Sequence, residues 1–465
     1  MNKKQLYIVS AICLAGLSWV ILACTPKYQD SLSNSNPNST LSSEEDALLD
    51  RVQQETFNYF WEGGESVSGA ARERIHTDDI YPSDDRDVVT IGGTGFGIMA
   101  TLAAVNRGFI SRKEAYDRLA KLTSWLEKAD RFHGAWPHWL HPSGKTKPFS
   151  RYDDGGDLVE TAFLVQGLLA ARQFFQDGNN KEQALAAQMD RLWKGVDWQW
   201  YTKGEDVLYW HWSPNYEWKM NFPVGGYNEC TIMYILAASS PTHRVDPAVF
   251  HKGYMLDGKI KDTQTMYGIS SVLNHYEHDE KVVGPLFWAH YSFLGLDPRD
   301  LKDQYADYWL LNQNHAMIHY QHSLHNPNGY KGYSAEVWGM TSSYSMTGYA
   351  GHSPQSDLGV ISPTAALSSF PYTPKESMQF LKYLYQKDGK KYLGKYGPYD
   401  AFSEQSDWYL PRYLAIDQLP IPVMIENYRS GFVWNLFMSA PEIQDGLGKL
   451  GISYHQKYAD NTSGR

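Results

Sequence analysis

From residue 44 onward one pattern paces the chain: segments of helical length, with apolar residues three and four apart, are separated by alternately short and long connections. Leu48, Val52, Phe57, Tyr59 and Phe60 set the first stripe, with a start at Ser42 or Ser43 where a hydroxyl precedes acidic residues. The segment from Gly97 to Asn106 is rich in Ala, Met and Leu, and Ser111 to Asp130 opens with Ser111 and Glu114 as a capping box. Further helices are expected over 157–175, 181–198, 227–238, 283–293, 299–318, 374–386, 409–428 and 440–450. Strand-like alternation is scarce, with short runs such as Val207 to His211 able to pair within loops. Roughly ten to twelve helices joined this way imply an all-α fold of helical hairpins stacked in a ring, a two-domain helical arrangement being the alternative. The long connections near 63–91, 131–156, 199–226, 320–372 and 390–408 would crowd one rim and carry function.

Ahead of this body, Lys3 and Lys4 precede an uncharged run from Gln5 to Ala23, the layout of a secretory signal over residues 1–23. It ends Ile21-Leu22-Ala23-Cys24, which resembles a bacterial lipobox and makes Cys24 the expected lipidation site. Residues 24–43, rich in Ser, Asn and Pro, read as a flexible tether, and 44–465 as the folded domain. The expected location is the periplasm or cell surface, with the membrane reached through the lipid anchor only and the protein a monomer. With Cys13 in the signal and Cys24 lipidated, Cys230 stands alone in the body, so no disulfide framework is available and a large core must supply stability.

The net charge of −10 argues against a nucleic-acid partner, since phosphate binding needs basic surface. Sixteen Trp and thirty-three Tyr suit a neutral ligand better, because aromatic faces pack on sugar rings, although they also build ordinary cores. Breaking a glycosidic bond calls for one carboxyl to protonate the leaving oxygen and another to activate water. The richest acidic cluster is Arg151-Tyr152-Asp153-Asp154-Gly155-Gly156-Asp157-Leu158-Val159-Glu160-Thr161, where Asp157 and Glu160 also suit a helix cap. In Gly225-Gly226-Tyr227-Asn228-Glu229-Cys230, Glu229 stands between a glycine pair and an apolar run, where desolvation would make it a usable acid. Asp400 and Asp417 lie in surroundings poor in other charges, which is costly unless they are hydrogen-bonded or functional. Glu426 has a structural partner in Arg429, one turn on.

Aromatics that would wall sugar subsites are Trp136 and Trp139 ahead of the acidic cluster, and Tyr152 within it. Trp210 and Trp212 from the next long loop join them, as do Tyr227 and Tyr399 beside the later acids. His315, His319, His322 and His325 are a conspicuous histidine group, read as scattered surface residues in preference to metal ligands, and no metal or cofactor is expected. A nucleophile elbow, a phosphate loop, a dinucleotide fingerprint and HExxH are all missing from the sequence.

Together, Tyr-Asp-Asp-Gly-Gly-Asp-Leu-Val-Glu-Thr at 152–161, Gly-Tyr-Asn-Glu at 226–229, Gly-Pro-Tyr-Asp-Ala-Phe at 397–402, Ala-Ile-Asp-Gln at 415–418 and Met-Ile-Glu-Asn-Tyr-Arg-Ser-Gly at 424–431 resemble the glucoamylase-like family, glycoside hydrolase family 144. The resemblance implies an (α/α)6 toroid and inverting hydrolysis of β-1,2-glucan, by endo-action or by release of sophorose. It makes Asp153, Asp157 and Glu160 active-site carboxylates and Glu229 the general acid, with Asp417 first, then Asp400 and Asp157, as the general base. The chain departs from the family pattern Asp-Gln-Gly-Pro-Ile at Leu419 and again at Pro422, which adds a side chain beside Asp417. The alternatives are a helical-toroid hydrolase or lyase for another polysaccharide, and a non-catalytic glycan-binding surface lipoprotein.

Overall fold

The structure, a computed structural model, describes residues 41–82, 85–261, 265–275, 283–386 and 391–458; the expected signal segment, Cys24 and most of the tether lie outside them. Residues Glu45–Arg465 form one compact unit. Its helices in chain order are α1 (Ser43–Trp61), α2 (Ile91–Arg107), α3 (Arg112–Leu126), α4 (Leu158–Phe175), α5 (Asn180–Lys194), α6 (Thr231–Ser239), α7 (Tyr308–His325), α8 (Pro363–Leu367), α9 (Pro374–Gln386), α10 (Ala415–Gln418), α11 (Pro420–Arg429), α12 (Phe432–Met438) and α13 (Pro441–Lys449).

Two kinds of helix follow from two kinds of sequence. Helices α2, α4 and α6 are apolar all round and buried on every face, as an inner layer requires. Helices α1, α3, α5, α9 and α13 bury a stripe and turn charge outward. Inner α2 and α4 touch backbone to backbone: a Cβ on Gly95 would stand 2.2 Å from the Phe163 carbonyl oxygen, and one on Gly167 2.4 Å from that of Gly95. Inner Leu, Ile and Phe side chains such as Leu102, Ile98 and Phe96 are fully buried, each stabilising the fold by about 1.5–3 kcal/mol. The architecture is an all-α (α/α)6 toroid with long loops.

Helix ends obey local chemistry. Ser111 and Glu114 form the capping box at α3, with Ser111 N donating to Glu114 Oε2 at 2.8 Å. Helix α6 starts later than its apolar run suggests, because Gly226 adopts φ +74° and Asn228 Oδ1 accepts from Cys230 N, turning the chain first. The 283–293 segment forms two 3₁₀ turns, Leu286–Ala289 and Tyr291–Phe293, in place of one helix. The helix expected over 299–318 runs instead from Tyr308 to His325, because Asp307 caps it there by accepting from Leu310 N at 3.1 Å. The helix expected over 409–428 starts only at Ala415, because Arg412–Leu414 is a strand paired with Arg74–His76, and it breaks ahead of Pro420, which lacks the donor a continuous helix needs.

At this break Leu419 is fully buried with φ −82°, a conformation open to any residue, so the side chain that departs from the family pattern fills core space without strain. Pro422, like Pro420, sits in the first turn of α11, where a backbone N–H has no helical acceptor to lose. The expected Glu426–Arg429 ion pair gives way to separate partners, because the two residues lean toward different neighbours. Glu426 pairs with Arg107 at 2.8 Å and accepts from Asn106, tying α11 to α2, while Arg429 reaches Asp46 and Asp50 on α1, each at 2.6 Å.

The rim loops are pinned by very short antiparallel strands. Val89–Thr90 pairs with Trp139–Leu140, which pairs with Thr146–Lys147. Gly156–Asp157 pairs with His211–Trp212, and Arg74–His76 with Arg412–Leu414. These ladders bring residues remote in sequence to the starts of α2, α4 and α10.

Candidate active site

Helix α4 opens on Asp157, whose Oδ1 accepts from Glu160 N at 2.9 Å as an N-cap. The capping role leaves Oδ2 free for other work: it accepts from Trp210 Nε1 at 3.0 Å and lies 3.0 Å from His138 Nδ1. Glu160, one turn on, accepts at Oε2 from Gly92 N at 2.7 Å, and a Cβ on Gly92 would stand 2.5 Å from that oxygen. Only glycine lets the start of α2 approach so closely. Asp153 contributes Oδ2 at 3.8 Å from His138 Nδ1, while its buried Oδ1 has no protein partner.

The electrostatics follow from packing three carboxylates around one ring. Burial would lower the His138 pKa, but Glu160, Asp157 and Asp153 overcome it and raise the ring to about 10, so it is an imidazolium. Burial, opposed by His138 and reinforced by Asp157, lifts Glu160 to about 7. Burial and Asp157 lift Asp153 to about 6. His138, Asp153 and Asp157 each bring a ring nitrogen or carboxylate oxygen within 4.8 Å of one another, and the protonated His138 ring supplies the positive charge of that group.

Glu229 sits on the turn ahead of α6, where its backbone carbonyl accepts from the Ser292 hydroxyl. It is 8% exposed, and burial, with Asp157 adding to it, raises its carboxyl to about 7. Among the described residues no cation pairs with it, and a carboxyl lifted to about 7 is still partly protonated near neutrality, as a general acid must be.

Asp400 and Asp417 form a third grouping. Asp400 Oδ2 accepts from Tyr344 N at 2.9 Å and Asp417 Oδ1 from the Tyr291 hydroxyl at 3.2 Å. Their other oxygens, Asp400 Oδ1 and Asp417 Oδ2, are buried without a donor, and the two carboxyls reach each other. Burial lifts Asp400 to about 6, and burial together with Asp400 holds Asp417 well above the usual carboxylate range. Two acceptors face to face need a proton between them.

A cavity of about 390 Å³ opens over these groups, in the range of small-molecule sites. Three carboxylates line it: Glu160, Glu229 and Glu73. Trp139 and Trp210 line it as well, and Arg74 lies over the Trp139 ring at 5.3 Å. Tyr344 and Tyr349, opposite one another on the hairpin of Ser342–Ser345 and Gly348–Gly351, enter from the side, with Phe149, Phe287 and Tyr291 completing the aromatic wall.

Other aromatics singled out in the sequence lie elsewhere. Trp136 is buried, donating to Leu126 O under the Arg131 guanidinium, and Tyr227 is buried against Asn312 and Trp288. Tyr399 packs on Tyr413, Tyr152 on Tyr216, and Trp212 against His133 and Trp200. Asp153, Asp157, Asp400 and Asp417 stand behind the cavity wall, Asp417 reaching it through Tyr291. His138, Glu73 and Arg74 also line the cavity, although no local pattern marks them: His138 lies in the loop of Trp136 and Trp139, and Glu73 and Arg74 in an early loop far from the acidic motifs.

The histidines of α7 are a correction. His315, His319 and His322 are buried, not scattered on the surface, because α7 continues to His325 and the chain around Gly284 and Asp357 packs over it. His315 and His319 Nε2 both contact Gly284 O, at 2.7 and 2.9 Å, and His322 Nε2 contacts Asp357 Oδ2 at 2.8 Å.

Residues 221–441 match the family model described as "Putative glucoamylase". The chain is 57% identical to an endo-β-1,2-glucanase from Chitinophaga pinensis, solved with sophorotriose and glucose; the match covers 90% of this chain and 100% of that one, with a TM-score of 0.87. It is 42% identical to an exo β-1,2-glucooligosaccharide sophorohydrolase (non-reducing end) of Parabacteroides distasonis, over 97% of this chain but 62% of the length of that protein. An endo-β-1,2-glucanase from Talaromyces funiculosus in complex with sophorose shares the fold at 12% identity, with a TM-score of 0.61 and 92% of each chain covered. The chain belongs to the glucoamylase-like family, glycoside hydrolase family 144.

Proposed function

We propose that this protein is a glycoside hydrolase that cleaves β-1,2-glucan by single displacement with inversion. The observation that carries the reading is Glu229: a carboxyl lifted to about 7 by burial, on the wall of an aromatic cavity that also presents a second carboxyl, Glu160, whose Oε1 lies 4.0 Å from the His138 ring. Glu229 protonates the glycosidic oxygen as general acid. Glu160, kept available as an anion by the Gly92 N–H and the His138 cation, deprotonates the attacking water. Inversion asks for the acid and base about 6.5–9.5 Å apart, with the water between. Trp139, Trp210 and the two hairpin tyrosines pack on the sugar rings. The substrate is taken from the relatives that act on β-1,2-linked glucose, and the full-length likeness to an endo-acting enzyme favours internal cleavage.

The test is incubation with linear β-1,2-glucan, products resolved over time and the new anomer followed by NMR. A ladder of oligosaccharides with the α-anomer formed first supports endo-acting inversion. Sophorose alone would move the protein to the exo type, and an untouched polymer would overturn the substrate. We further propose that residues 1–23 are a signal and that Cys24 carries lipid, holding a monomer at the periplasmic or outer face of a membrane. Among the described residues no helix is long and apolar enough to cross one. Incorporation of labelled palmitate that disappears in Cys24→Ala supports the anchor, and unlabelled wild-type protein rejects it.

A further inference from the structure

His138 is reached by carboxylates from two sides of its ring. Nδ1 lies 3.0 Å from Asp157 Oδ2 and 3.8 Å from Asp153 Oδ2, and Nε2 lies 4.0 Å from Glu160 Oε1. A neutral imidazole has one N–H and one lone pair, so one nitrogen would turn its lone pair toward an oxyanion; the doubly protonated ring satisfies both sides. The ring is also held mechanically. Phe149 stacks on it at 4.1 Å and 21°, Trp139 meets it edge-on, and the His138 carbonyl accepts from Ile91 N at the start of α2. The 19% of its side chain that remains exposed opens on the cavity it lines.

We propose that His138 is a positioning residue: an imidazolium that fixes the Asp157 and Glu160 carboxylates in place and sets the pH range over which Glu160 can act as base. The inference rests on the role given to Glu160 above. The other ionisable groups around it are Glu73 and Arg74 from the Arg74–His76 strand region, Glu229 from the turn before α6, and His211 on the strand paired with Asp157. Arg74 is engaged over Trp139, and His211 Nε2 is directed at the Tyr152 carbonyl. His138 is thus the cation that stands among Asp153, Asp157 and Glu160. Without it three carboxylates share one buried site, and one must take up a proton. Glu160, already lifted to about 7, would take it up more readily and lose its basic form at neutral pH.

Two measurements on the full-length protein test this. Nitrogen-15 NMR of the histidine rings, with His138 identified by its loss in His138→Gln, should show both nitrogens protonated across about pH 6 to 8. A ring that titrates near the ordinary value of about 6.5 overturns the inference whatever the substrate. In kinetics on β-1,2-glucan, His138→Gln should lower kcat about 10- to 100-fold at pH 6.5 with little change in KM, and move the acid limb of the profile up by about 1–3 pH units. In His138→Ala, imidazole should restore part of the rate, whereas 1,2,4-triazole, uncharged at that pH, should not. A uniform loss with the wild-type pH profile would reduce His138 to a packing residue and overturn the proposal. Wild-type protein inert on β-1,2-glucan would instead reject the substrate assignment, and the NMR titration would still decide the charge of the ring.

Discussion

At the start of α4 three carboxylates surround one imidazolium, whereas beside α10 Asp400 and Asp417 face each other with no ion pair to either among the described residues. Both groupings are buried, yet they meet the cost of burying charge differently. The α4 cluster imports a cation and holds Asp153 and Glu160 near neutrality, at about 6 and about 7. The α10 pair retains a proton. A carboxylate beside a cation can gain and lose protons at working pH, which is what acid–base chemistry needs. A pair sharing one proton holds it more firmly. Glu229, the proton donor proposed above, is an intermediate case: burial lifts it to about 7, with no ion pair to it among the described residues.

The largest effect should come from removing that donor. Glu229→Gln keeps size and hydrogen-bonding capacity while abolishing proton transfer, so kcat on β-1,2-glucan should fall about 10²- to 10⁴-fold with thermal stability unchanged. Activity within a few-fold of wild type would place the acid elsewhere and erase the contrast between Glu229 and the α4 cluster.

Next in size is the cost of breaking the cation cage. Asp157→Asn removes a buried counter-charge from His138 while the amide still caps α4 and lies near Trp210. A denaturant titration at pH 7 should show a loss of about 3 kcal/mol. A loss below about 0.5 kcal/mol would mean that the ring is neutral and the two groupings are alike in lacking a cation.

A smaller effect, graded with pH, distinguishes these sites from two buried histidines, His315 on α7 and His290 between the two 3₁₀ turns. Burial lowers His315 to about 4 and His290 to about 3, so both are neutral in the folded protein. Their unfolded counterparts bind protons below about 6.5, so the unfolded state gains protons first. Stability from these groups is complete above about pH 6.5 and declines as pH falls toward 4 and 3. Their replacement by glutamine should flatten that decline in melts between about pH 4 and 6.5. His138 has the opposite sign: raised to about 10, it contributes fully below about 6.5 and loses its contribution as pH rises through 10.

Why these features differ in visibility is a matter of range. The helical frame is legible because a 3.6-residue period reports burial directly: Ser111 with Glu114, the stripe of α1 and the exact span of α9 can be read within a few turns of chain. Asp157, Glu160 and Glu229 stand out because each comes within four residues after a glycine pair and lies at or just ahead of a helix start. His138 does not, since its role depends on Trp139 pairing with Thr90, which brings its loop to the start of α2, where Glu160 is bound. Glu73 and Arg74 depend on pairing with the 412–414 strand at the far end of the chain. Trp136 and Tyr227 show the converse: a tryptophan or tyrosine beside an acidic loop has the same local signature whether it faces a cavity or fills the core. The helix-long ion pair expected of Glu426 and Arg429 failed for the same reason, as spacing says nothing about which neighbouring helix each side chain meets.

The smallest expected effect is the most discriminating. If Asp400 and Asp417 share a proton at neutral pH, Asp417→Asn places an amide where a protonated carboxyl already stands, and its N–H can donate to Asp400. Stability at pH 7 should then change by no more than about 0.5 kcal/mol, and kcat by no more than a few-fold. Glu160→Gln, made in parallel, should lose activity by about 10²-fold or more, because a side chain that must become an anion has no neutral mimic. Should Asp417→Asn lose activity while Glu160→Gln retains it, the Tyr291 hydroxyl would be the link from cavity to base, and the two groupings would exchange roles: the caged cluster positions, and the proton-sharing pair does the chemistry.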